Sequence, residues 1–323
     1  MKGNGKILFN VVAALIMLSF VITVSLEAKE IFPAKPITII IANPPGASLD
    51  ITTRAISPYM GKYLHTNVII SNVPGAGGGI GTMKAYNAKP DGYTLTAWMT
   101  MQPLLTEYMK PVKFKTLQFS PIAAISRDYP ILVGHPEGIK NIEALVKQAK
   151  TRSVSIGNNG QFTTHGFQGR LMAEELGMKV NWVNFSGAAE AMTALAGNHI
   201  DAATTLTATA MPLVKAGKIV PLLIFAKHRV PQYPETPVPS ELKFDIPLLS
   251  SLLGIVGPPG MDKDVVKILE SAVLKATKSP DYLTWMEKAS TAEPVFLSAS
   301  AYKAEIEELA KVAEKYKSFL STP

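Results

Sequence analysis

Residues 37–50 read ITIIIANPPGASLD, and residues 68–81 read VIISNVPGAGGGIG. In each stretch, a run rich in β-branched residues leads into a turn of glycine and proline and then into a helical pattern. Glycine has no Cβ, so such a turn brings backbone N–H groups close to a ligand, and the following helix adds free N–H groups with partial positive charge. Two such turns at the ends of neighbouring parallel strands predict an anion site built without any charged side chain.

Neither turn matches a nucleotide-binding motif. In the G-x-G-x-x-G pattern, counted from Gly75 or Gly77, the third glycine position holds Ile80 or Thr82. No Gly-Lys-Ser/Thr sequence is present, which excludes the common phosphate loop of NTPases. The alternative interpretation is two ordinary tight turns that hold no ligand.

Composition excludes several classes of protein. The 323 residues include 32 Lys and Arg against 25 Asp and Glu, for a formal net charge of +7, and no cysteine. The basic residues are dispersed, so the sequence predicts no nucleic-acid binding, although a positive field favours capture of an anion. The absence of cysteine excludes disulfides, thiolate metal sites and cysteine nucleophiles, and it is compatible with an oxidising compartment.

The first 28 residues read as an export signal. Lys2 and Lys6 precede an apolar stretch from Ile7 to Val24, and Ala28 supplies a small residue for cleavage. We therefore expect a signal peptide over 1–28 and a periplasmic mature protein. The alternative is a retained N-terminal membrane anchor.

Short β-rich runs alternate with helical patterns along most of the chain. This alternation predicts an α/β fold, with mostly parallel sheets flanked by helices. Pro58 lies inside the first helical pattern, where we expect a kink or an early break. Strands are expected at 36–42, 67–71, 93–98, 121–126, 129–134, 153–157, 180–185, 201–205, 219–226 and 252–257, and helices at 48–63, 80–88, 141–150, 165–176, 187–196, 207–216, from 262 and from 300 to about 319.

Several motifs together resemble one family. The chain is similar to the TctC-like, or Bug, solute-binding proteins of tripartite tricarboxylate transporters over about 31–318. The motifs that carry the resemblance are FPAKPI at 32–37, PPGASLD at 44–50, PGAGGGIG at 74–81, KPDGYTL at 89–95, KAGK at 215–218 and GPPG at 257–260.

The resemblance implies a two-lobed periplasmic binding protein of type II, whose lobes are joined by two crossing strands and close around a ligand. It places the first part of lobe 1 at 29–127, lobe 2 at 128–251 and a return segment with C-terminal helices at 252–323, with crossings near 126–130 and 250–254. It also implies a monomer without metal or cofactor. This monomer captures a small organic acid (a di- or tricarboxylate, an acidic amino acid or an aromatic acid) and delivers it to integral-membrane transporter subunits.

In lobe 1, the resemblance implies ligand-binding residues in three places. Asp50 is expected to cap or orient the first turn rather than touch a carboxylate, because like charges repel. Trp98 is expected either to floor an apolar part of the ligand or to pack in the core. The residues are Gly46, Ala47, Ser48 and Asp50 in the first turn, Pro74, Gly75, Ala76 and Gly77 in the second, and Trp98 and Thr100 after the third strand.

In lobe 2, the resemblance implies two further turns. Thr163 and Thr164 are expected to bind the far end of the ligand. His165 is expected either to bind the ligand or to have a structural role at the start of the helix. Phe185 stands where the family has tyrosine, so Ser186 is expected to supply the hydroxyl. Asp201 is expected to line the far end of the cleft or to cap a strand end.

Two other functions remain open at this point. The same fold serves equally well as a periplasmic sensing subunit that presents its ligand to a signalling kinase. A hydrolase is disfavoured because the chain has no G-x-S-x-G elbow and no H-E-x-x-H helix, and its five histidines lack metal-ligand spacing. We therefore predict that the chain is not an enzyme.

Overall fold

The structure is a computed structural model that describes residues 31–46, 48–160, 163–249, 251–289 and 292–317. The described residues from Lys35 onward belong to one compact unit. The expected signal peptide over 1–28 lies outside the described residues. Within the described ranges, no helix combines the length and the apolar character needed to cross a membrane.

The described part of the chain contains eleven strands and ten α-helices. The strands are β1 (Ile37–Ile41), β2 (Val68–Asn72), β3 (Thr94–Met99), β4 (Ser120–Asp128), β5 (Pro130–Gly134), β6 (Val154–Asn158), β7 (Val180–Asn184), β8 (Ala202–Leu206), β9 (Val220–Ile224), β10 (Ser251–Gly257) and β11 (Glu293–Leu297). The helices are α1 (Ser48–Leu64), α2 (Gly79–Tyr86), α3 (Met101–Met109), α4 (Ile142–Thr151), α5 (Thr164–Glu175), α6 (Ala188–Ala196), α7 (Thr207–Lys215), α8 (Lys263–Thr277), α9 (Pro280–Ala289) and α10 (Ala299–Lys315).

The strands form two sheets, in the orders β11-β4-β10-β3-β1-β2 and β7-β6-β8-β5-β9. In the first sheet β1 pairs in parallel with β2 and β3, and in the second β6 pairs in parallel with β7 and β8. Strands β10 and β5 are antiparallel to both of their neighbours. The α/β class is confirmed, but the sheets are mixed because β5, β10 and β11 run against the other strands.

The chain crosses between the sheets at two adjacent points. β4 in the first sheet ends at Asp128, and β5 in the second begins at Pro130, so the first crossing is at Tyr129. β10 returns the chain to the first sheet, and its first residue, Ser251, pairs with Asp128. The two connections therefore lie side by side. The lobe boundaries expected from the sequence stay a prediction.

Helices α3 and α9 and strand β11 were not expected from the sequence. α3 has the sequence MQPLLTEYM, whose apolar residues have helical spacing, but the helix is only nine residues long and carries Pro103 in its first turn, so its sequence signal is weak. α9 begins at Pro280 directly after α8, and β11 opens with Glu293 and Pro294, which interrupt a strand pattern. Tertiary packing overrides these weak local signals.

Pro58 does not end α1 early, so the expected break is wrong. Proline has no N–H, so the carbonyl of Arg54 loses the donor that residue 58 would supply. The Ser57 hydroxyl donates to that carbonyl at 3.1 Å instead. The helix continues to Leu64 with its backbone acceptor satisfied.

A buried hydrogen-bonded chain joins α10 to the centre of the first sheet. Trp98 Nε1 donates to the Tyr302 hydroxyl at 2.7 Å, and that hydroxyl lies 2.7 Å from Thr100 Oγ1. Thr100 Oγ1 in turn donates to the carbonyl of Leu252 at 3.0 Å. The Tyr302 ring lies over Gly254 of β10, where an added Cβ would come 2.1 Å from ring atoms. A glycine is therefore required beneath the ring.

We expect Gly254→Ala to lower the free energy of unfolding by about 3 kcal/mol, because a buried aromatic ring must shift to admit the methyl group. Urea denaturation of the purified protein measures this loss. Gly187→Ala is the control, since a Cβ at Gly187 meets no atom within 4 Å. A change below about 1 kcal/mol in the Gly254 variant would contradict the packing described.

Asp128 is buried at the first crossing, with 3% of its surface exposed. It accepts hydrogen bonds from the Tyr129 N–H (2.9 Å), the Ala208 N–H (3.3 Å) and the Thr207 hydroxyl. Burial raises the pKa of Asp128 to about 6, although these donors oppose the rise. The carboxyl thus ties the crossing to the start of α7 and favours its neutral form.

The raised pKa gives a pH dependence of known sign. The folded state holds the Asp128 proton up to about pH 6, whereas the unfolded chain releases it near 3.8, so its stabilising contribution is full below pH 3.8 and is lost as pH rises through 6. Asp128→Asn removes this pH-dependent contribution. We therefore expect the unfolding free energy of wild type, minus that of the variant, to fall by roughly 3 kcal/mol as the pH rises from 3.8 to about 6. Urea denaturation of wild type and Asp128→Asn at several pH values tests this, and a difference between them that does not vary with pH would contradict it.

Candidate functional site

The helices that begin at the carboxyl ends of β3 and β6 pack against each other. Met101 and Leu104 of α3 share a hydrophobic cluster with Phe167 and Leu171 of α5, and Leu249 of the return connection joins them. Because α3 follows β3 and α5 follows β6, this contact brings the carboxyl edges of the two sheets to the same side. We call the space bordered by these edges the candidate cleft.

Asp50 organises the first turn. Its carboxylate accepts hydrogen bonds from the Gly46 N–H, from Arg54 Nε and from Asn72 Nδ2, each at 2.9 Å. Burial opposes ionisation of Asp50, but the hydrogen bonds from Arg54, Gly46 and Asn72 and the charge of Arg54 together hold its pKa below the usual value. The ionised side chain therefore fixes the shape of the turn from within.

The other predicted residues of the first turn differ in their placement. The N–H of Gly46 is used by Asp50, so it is not available to a ligand. Ser48 is exposed at the first position of α1, where helical N–H groups have no partner within the helix. Ala47 lies outside the described residues.

The second turn is exposed and strongly curled. Gly75, Ala76, Gly77 and Gly78 all have positive φ angles, of 123°, 51°, 67° and 92°. The N–H of Gly78 donates to the carbonyl of Gly75 at 3.0 Å, which closes the turn. Among the described residues, the N–H groups of Gly75, Ala76 and Gly77 have no hydrogen-bond acceptor. Three adjacent donors, preceded by exposed Pro74, therefore stand at the carboxyl edge of β2.

Three residues on α3 and directly after it contact the second turn. The sequence did not predict them as site residues. Gln102 Nε2 and Thr106 Oγ1 donate to the carbonyl of Gly77 at 3.4 and 3.1 Å. A Cβ at Gly77 would lie 3.0 Å from Lys110 Nζ. A charged side chain therefore lies beside the second turn, and the expectation of an anion site built without one stays a prediction. Gln102, Thr106 and Lys110 are spaced four residues apart, which places them on one face of a helix. The sequence did not predict this helix, so the spacing was not recognised.

Trp98 and Thr100 are in the core of the first sheet rather than at its surface. Both are buried, and their polar atoms are engaged with Tyr302 and Leu252. The Trp98 ring packs edge-on against Phe119 at 4.8 Å between centroids. The structure follows the core alternative for Trp98, and Thr100 supports the start of α3.

The turn after β6 leads into α5. Thr163 is the N-cap of this helix: its hydroxyl accepts from the Gly166 N–H at 3.1 Å and donates to the carbonyl of Gly160 at 2.8 Å. Thr164 is buried in the first turn of the helix. The Thr163 hydroxyl is therefore committed to the turn, and both backbone groups of half-buried Gly160 are used within it, because its N–H donates to Asn158 Oδ1 at 2.7 Å and its carbonyl accepts from Thr163.

His165 and Asn158 place unpartnered polar atoms beneath this turn. His165 is 5% exposed, its Nε2 contacts Asn159 Oδ1, and its Nδ1 has no partner among the described residues. Nδ2 of fully buried Asn158 likewise has no partner there. Burial lowers the pKa of His165 to about 4, so the imidazole is neutral at neutral pH. The turn thus offers neutral polar groups and no charge.

The turn after β7 carries Phe185 and Ser186. Phe185 is half-buried against the second sheet's core and covers Gly157, where a Cβ would meet its ring at 3.0 Å. The N–H and hydroxyl of Ser186 both donate to Glu190 Oε2, at 3.0 and 2.6 Å. The hydroxyl expected to replace a tyrosine is therefore directed toward Glu190.

Asp201 lies apart from the other predicted residues. It precedes β8 and lies beside Ser155, which is near the start of β6, whereas the turn of the candidate cleft follows the end of β6 at Asn158. Its carboxylate accepts from the Ser155 N–H (2.7 Å), the Ser155 hydroxyl (2.8 Å) and Arg152 Nη2 (2.6 Å). The structure therefore does not bring Asp201 to the candidate cleft.

A separate cavity of about 850 Å³ lies at the crossing. Its walls include Arg127 and Tyr129, and the predicted site residues are absent from its lining. Arg127 is paired with Glu305 at 3.3 Å, and the Tyr129 hydroxyl donates to Glu293 at 2.8 Å. Its cationic and acidic groups balance each other, so we assign no ligand to this cavity.

Comparison with known proteins identifies a family model that matches residues 52–316, described as "Tripartite tricarboxylate transporter family receptor" (TctC). A UPF0065 protein of Agrobacterium vitis is 28% identical over 88% of this chain and 86% of its own length. Protein BugT of Bordetella pertussis is 26% identical over 80% of this chain and 82% of its own length.

Solved structures show the same fold. A TctC solute-binding protein from Polaromonas has a TM-score of 0.74 at 25% identity, covering 88% of this chain and 99% of that one. Two further structures are only 20% and 21% identical, so their likeness shows the fold alone. An R. palustris protein with adipate has a TM-score of 0.77 and covers 90% of this chain and 98% of that one. MatC of Rhodopseudomonas palustris with malate has a TM-score of 0.72 and covers 90% of this chain and 99% of that one. The two-lobed α/β fold expected from the sequence is confirmed.

The burial of His165 predicts its protonation state. Its folded pKa of about 4 lies below the ordinary 6.5, so its contribution to stability is full above pH 6.5 and is lost as pH falls through 4. At pH 5 we expect a neutral ring, with the proton on Nε2 facing Asn159. Nitrogen NMR of labelled histidine measures this, and a His165 signal that titrates near pH 6.5 would contradict it.

Proposed function

Because the chain belongs to the tripartite tricarboxylate transporter receptor (TctC) family, we propose that it captures a small organic carboxylate and delivers it to the membrane subunits of a transporter. Membership was predicted from the motifs and is confirmed by the match to residues 52–316. The matched family consists of receptors, and the Polaromonas neighbour is a solute-binding protein, so the chain is not an enzyme.

One observation carries the proposal. The exposed second turn presents the N–H groups of Gly75, Ala76 and Gly77 with no acceptor among the described residues. An anionic oxygen can accept from these exposed N–H groups in place of water, and hydrogen bonds to a charged acceptor are stronger than those to a neutral one. A carboxylate has two oxygens that can accept several such bonds. The turn therefore suits a carboxylate better than a neutral ligand.

The fold supplies the means of capture. The candidate cleft is bordered by the carboxyl edges of two sheets, and the chain connects the sheets at the adjacent crossings near Asp128 and Ser251. A ligand that contacts both edges favours the closed arrangement by its differential affinity for that state. The second sheet contributes the turns at 158–165 and 185–187, whose groups are neutral at their surface apart from Glu190.

Two structural neighbours support a proposal for the class of acid. The two Rhodopseudomonas palustris structures hold malate and adipate, which are both dicarboxylates. We propose that this chain takes an acid of similar size in the periplasm, as a monomer. The alternative role, presentation of the same ligand to a signalling kinase, would use the same cleft, and no observation favours it over delivery to a transporter.

Calorimetric titration with malate, adipate and citrate tests the function. We expect at least one acid to bind wild-type protein, and Asp50→Asn to weaken that binding about tenfold, because the first turn loses the charge that aligns Gly46 and Asn72.

Asp201→Asn is the matched control, since Asp201 has an equally dense set of donors but lies at the opposite edge of its sheet. We expect it to lower stability and leave affinity unchanged. Folded wild-type protein that binds none of the acids overturns the proposed function. Equal losses of affinity in both variants overturn the placement of the site.

A further inference from the structure

Three buried polar atoms near the start of α5 have no hydrogen-bond partner among the described residues. They are Asn158 Nδ2 at the end of β6, Thr204 Oγ1 in β8 and His165 Nδ1 in the first turn of α5. The three residues are 0%, 1% and 5% exposed. An unpaired buried polar group costs free energy, so native proteins pair nearly all such groups with protein or with ordered water. A partner shared by these three atoms would remove that cost.

The two strand residues lie side by side beneath α5. The parallel register that pairs Ile156 with Ala202 places Asn158, two residues further on, beside Thr204. Residues two apart lie on the same face of a strand. Ile156 and Ala202 share a hydrophobic cluster with Met172 of α5. Asn158 and Thr204 are therefore on the face of the second sheet that α5 covers.

α5 brings His165 to the same region. A Cβ at Gly169 would lie 2.7 Å from Thr204 Cγ2, so this face of the helix is directly against Thr204. His165 precedes Gly169 by four residues, so its side chain leaves the same face one turn earlier. Its Nε2 contacts Oδ1 of Asn159, the residue directly after Asn158. The three unpartnered atoms thus belong to side chains that meet between the start of α5 and the ends of β6 and β8.

The roles of two of these atoms are set by their neighbours. The N–H of Gly160 donates to Asn158 Oδ1 at 2.7 Å, so the other amide atom is the Nδ2 donor. The His165 ring is neutral, since burial lowers its pKa to about 4, and its Nε2 faces the oxygen of Asn159. The proton is therefore on Nε2, and Nδ1 is an acceptor. The Thr204 hydroxyl serves in either role.

These roles restrict what can bind between the three side chains. A metal cation has no lone pair to accept the Asn158 N–H, and a halide has no proton to donate to His165. Water does both, and it can make a further bond with the Thr204 hydroxyl. Three hydrogen bonds are typical of a buried water molecule in a protein.

We propose that Asn158, Thr204 and His165 hold one buried water molecule between α5 and the second sheet. The water accepts from Asn158 Nδ2, donates to His165 Nδ1 and shares a third hydrogen bond with Thr204 Oγ1. It fastens the turn that follows β6, at the edge of the candidate cleft, to the sheet beneath it. The inference goes beyond the proposed function and does not depend on it.

A high-resolution crystal structure of the wild-type protein tests the proposal directly. We expect a water oxygen within about 3 Å of Asn158 Nδ2, Thr204 Oγ1 and His165 Nδ1. Direct hydrogen bonds among these three atoms, with no solvent between them, would overturn it. An ion in this position would overturn it as well.

Thr204→Val tests the same water in solution, because valine keeps the shape of threonine and lacks the hydroxyl. If the water is bound, the variant removes one of its hydrogen bonds, and we expect the urea midpoint to fall by about 0.3 M. If the hydroxyl has no partner, valine removes an unsatisfied polar group, and the midpoint stays or rises. That second outcome contradicts the inference.

Thr205→Val is the matched control. Thr205 Oγ1 is also buried and without a partner among the described residues. Thr205 shares the opposite face of β8 with Ala203, which packs in an apolar cluster with Ile131 and Val133. We expect its variant to keep or raise the midpoint. Equal losses in both variants would assign the effect to valine in β8 and overturn the inference. Neither measurement uses an organic acid, so failure of the proposed function would leave this inference standing.

Discussion

The contact between Tyr302 and Gly254 supports much of what lies around the candidate cleft. The ring of an α10 residue covers a glycine of β10, and its hydroxyl joins Trp98 to Thr100 in a buried chain of hydrogen bonds. Thr100 immediately precedes α3, so the same contact sets where that helix starts. α3 in turn holds the carbonyl of Gly77. The C-terminal helix thus positions a turn more than two hundred residues earlier in the chain.

Charge is arranged differently in the interior and at the rim. Asp128 and His165 are both buried between packed elements, and burial favours the neutral form of each, raising the pKa of the first and lowering that of the second. Asp50 and Asp201 stay ionised because arginine and backbone donors surround them. The buried interior is therefore poor in charge, whereas charged groups such as Arg127 and Glu305, which pair with each other, line the cavity at the crossing.

The sequence anticipated the regular elements that have clear patterns. ITIII over 37–41 forms a strand because β-branched residues suit a buried pleated surface, and nine further strands lie within three residues of the expected positions. It missed α3 because MQPLLTEYM is short and carries Pro103, although its apolar residues have helical spacing, and it missed β11 because an edge strand with Glu293 and Pro294 gives little signal. Because α3 was not predicted, the contacts of Gln102, Thr106 and Lys110 with the second turn were not predicted either. No pattern in the chain linked these residues to that turn.

By itself, the sequence determined the two-sheet α/β class, the family, and the two glycine turns, because these depend on local periodicity and on backbone conformations that few residues other than glycine adopt. Only the tertiary structure decided which polar groups remain available. It buried Trp98 and Thr100 against Tyr302 and left Asp201 with Arg152 at the far edge of its sheet. It also brought Lys110 to Gly77. Such pairings join residues distant in the chain through packing, and hydrogen bonds between distant residues leave no periodic trace in a single sequence.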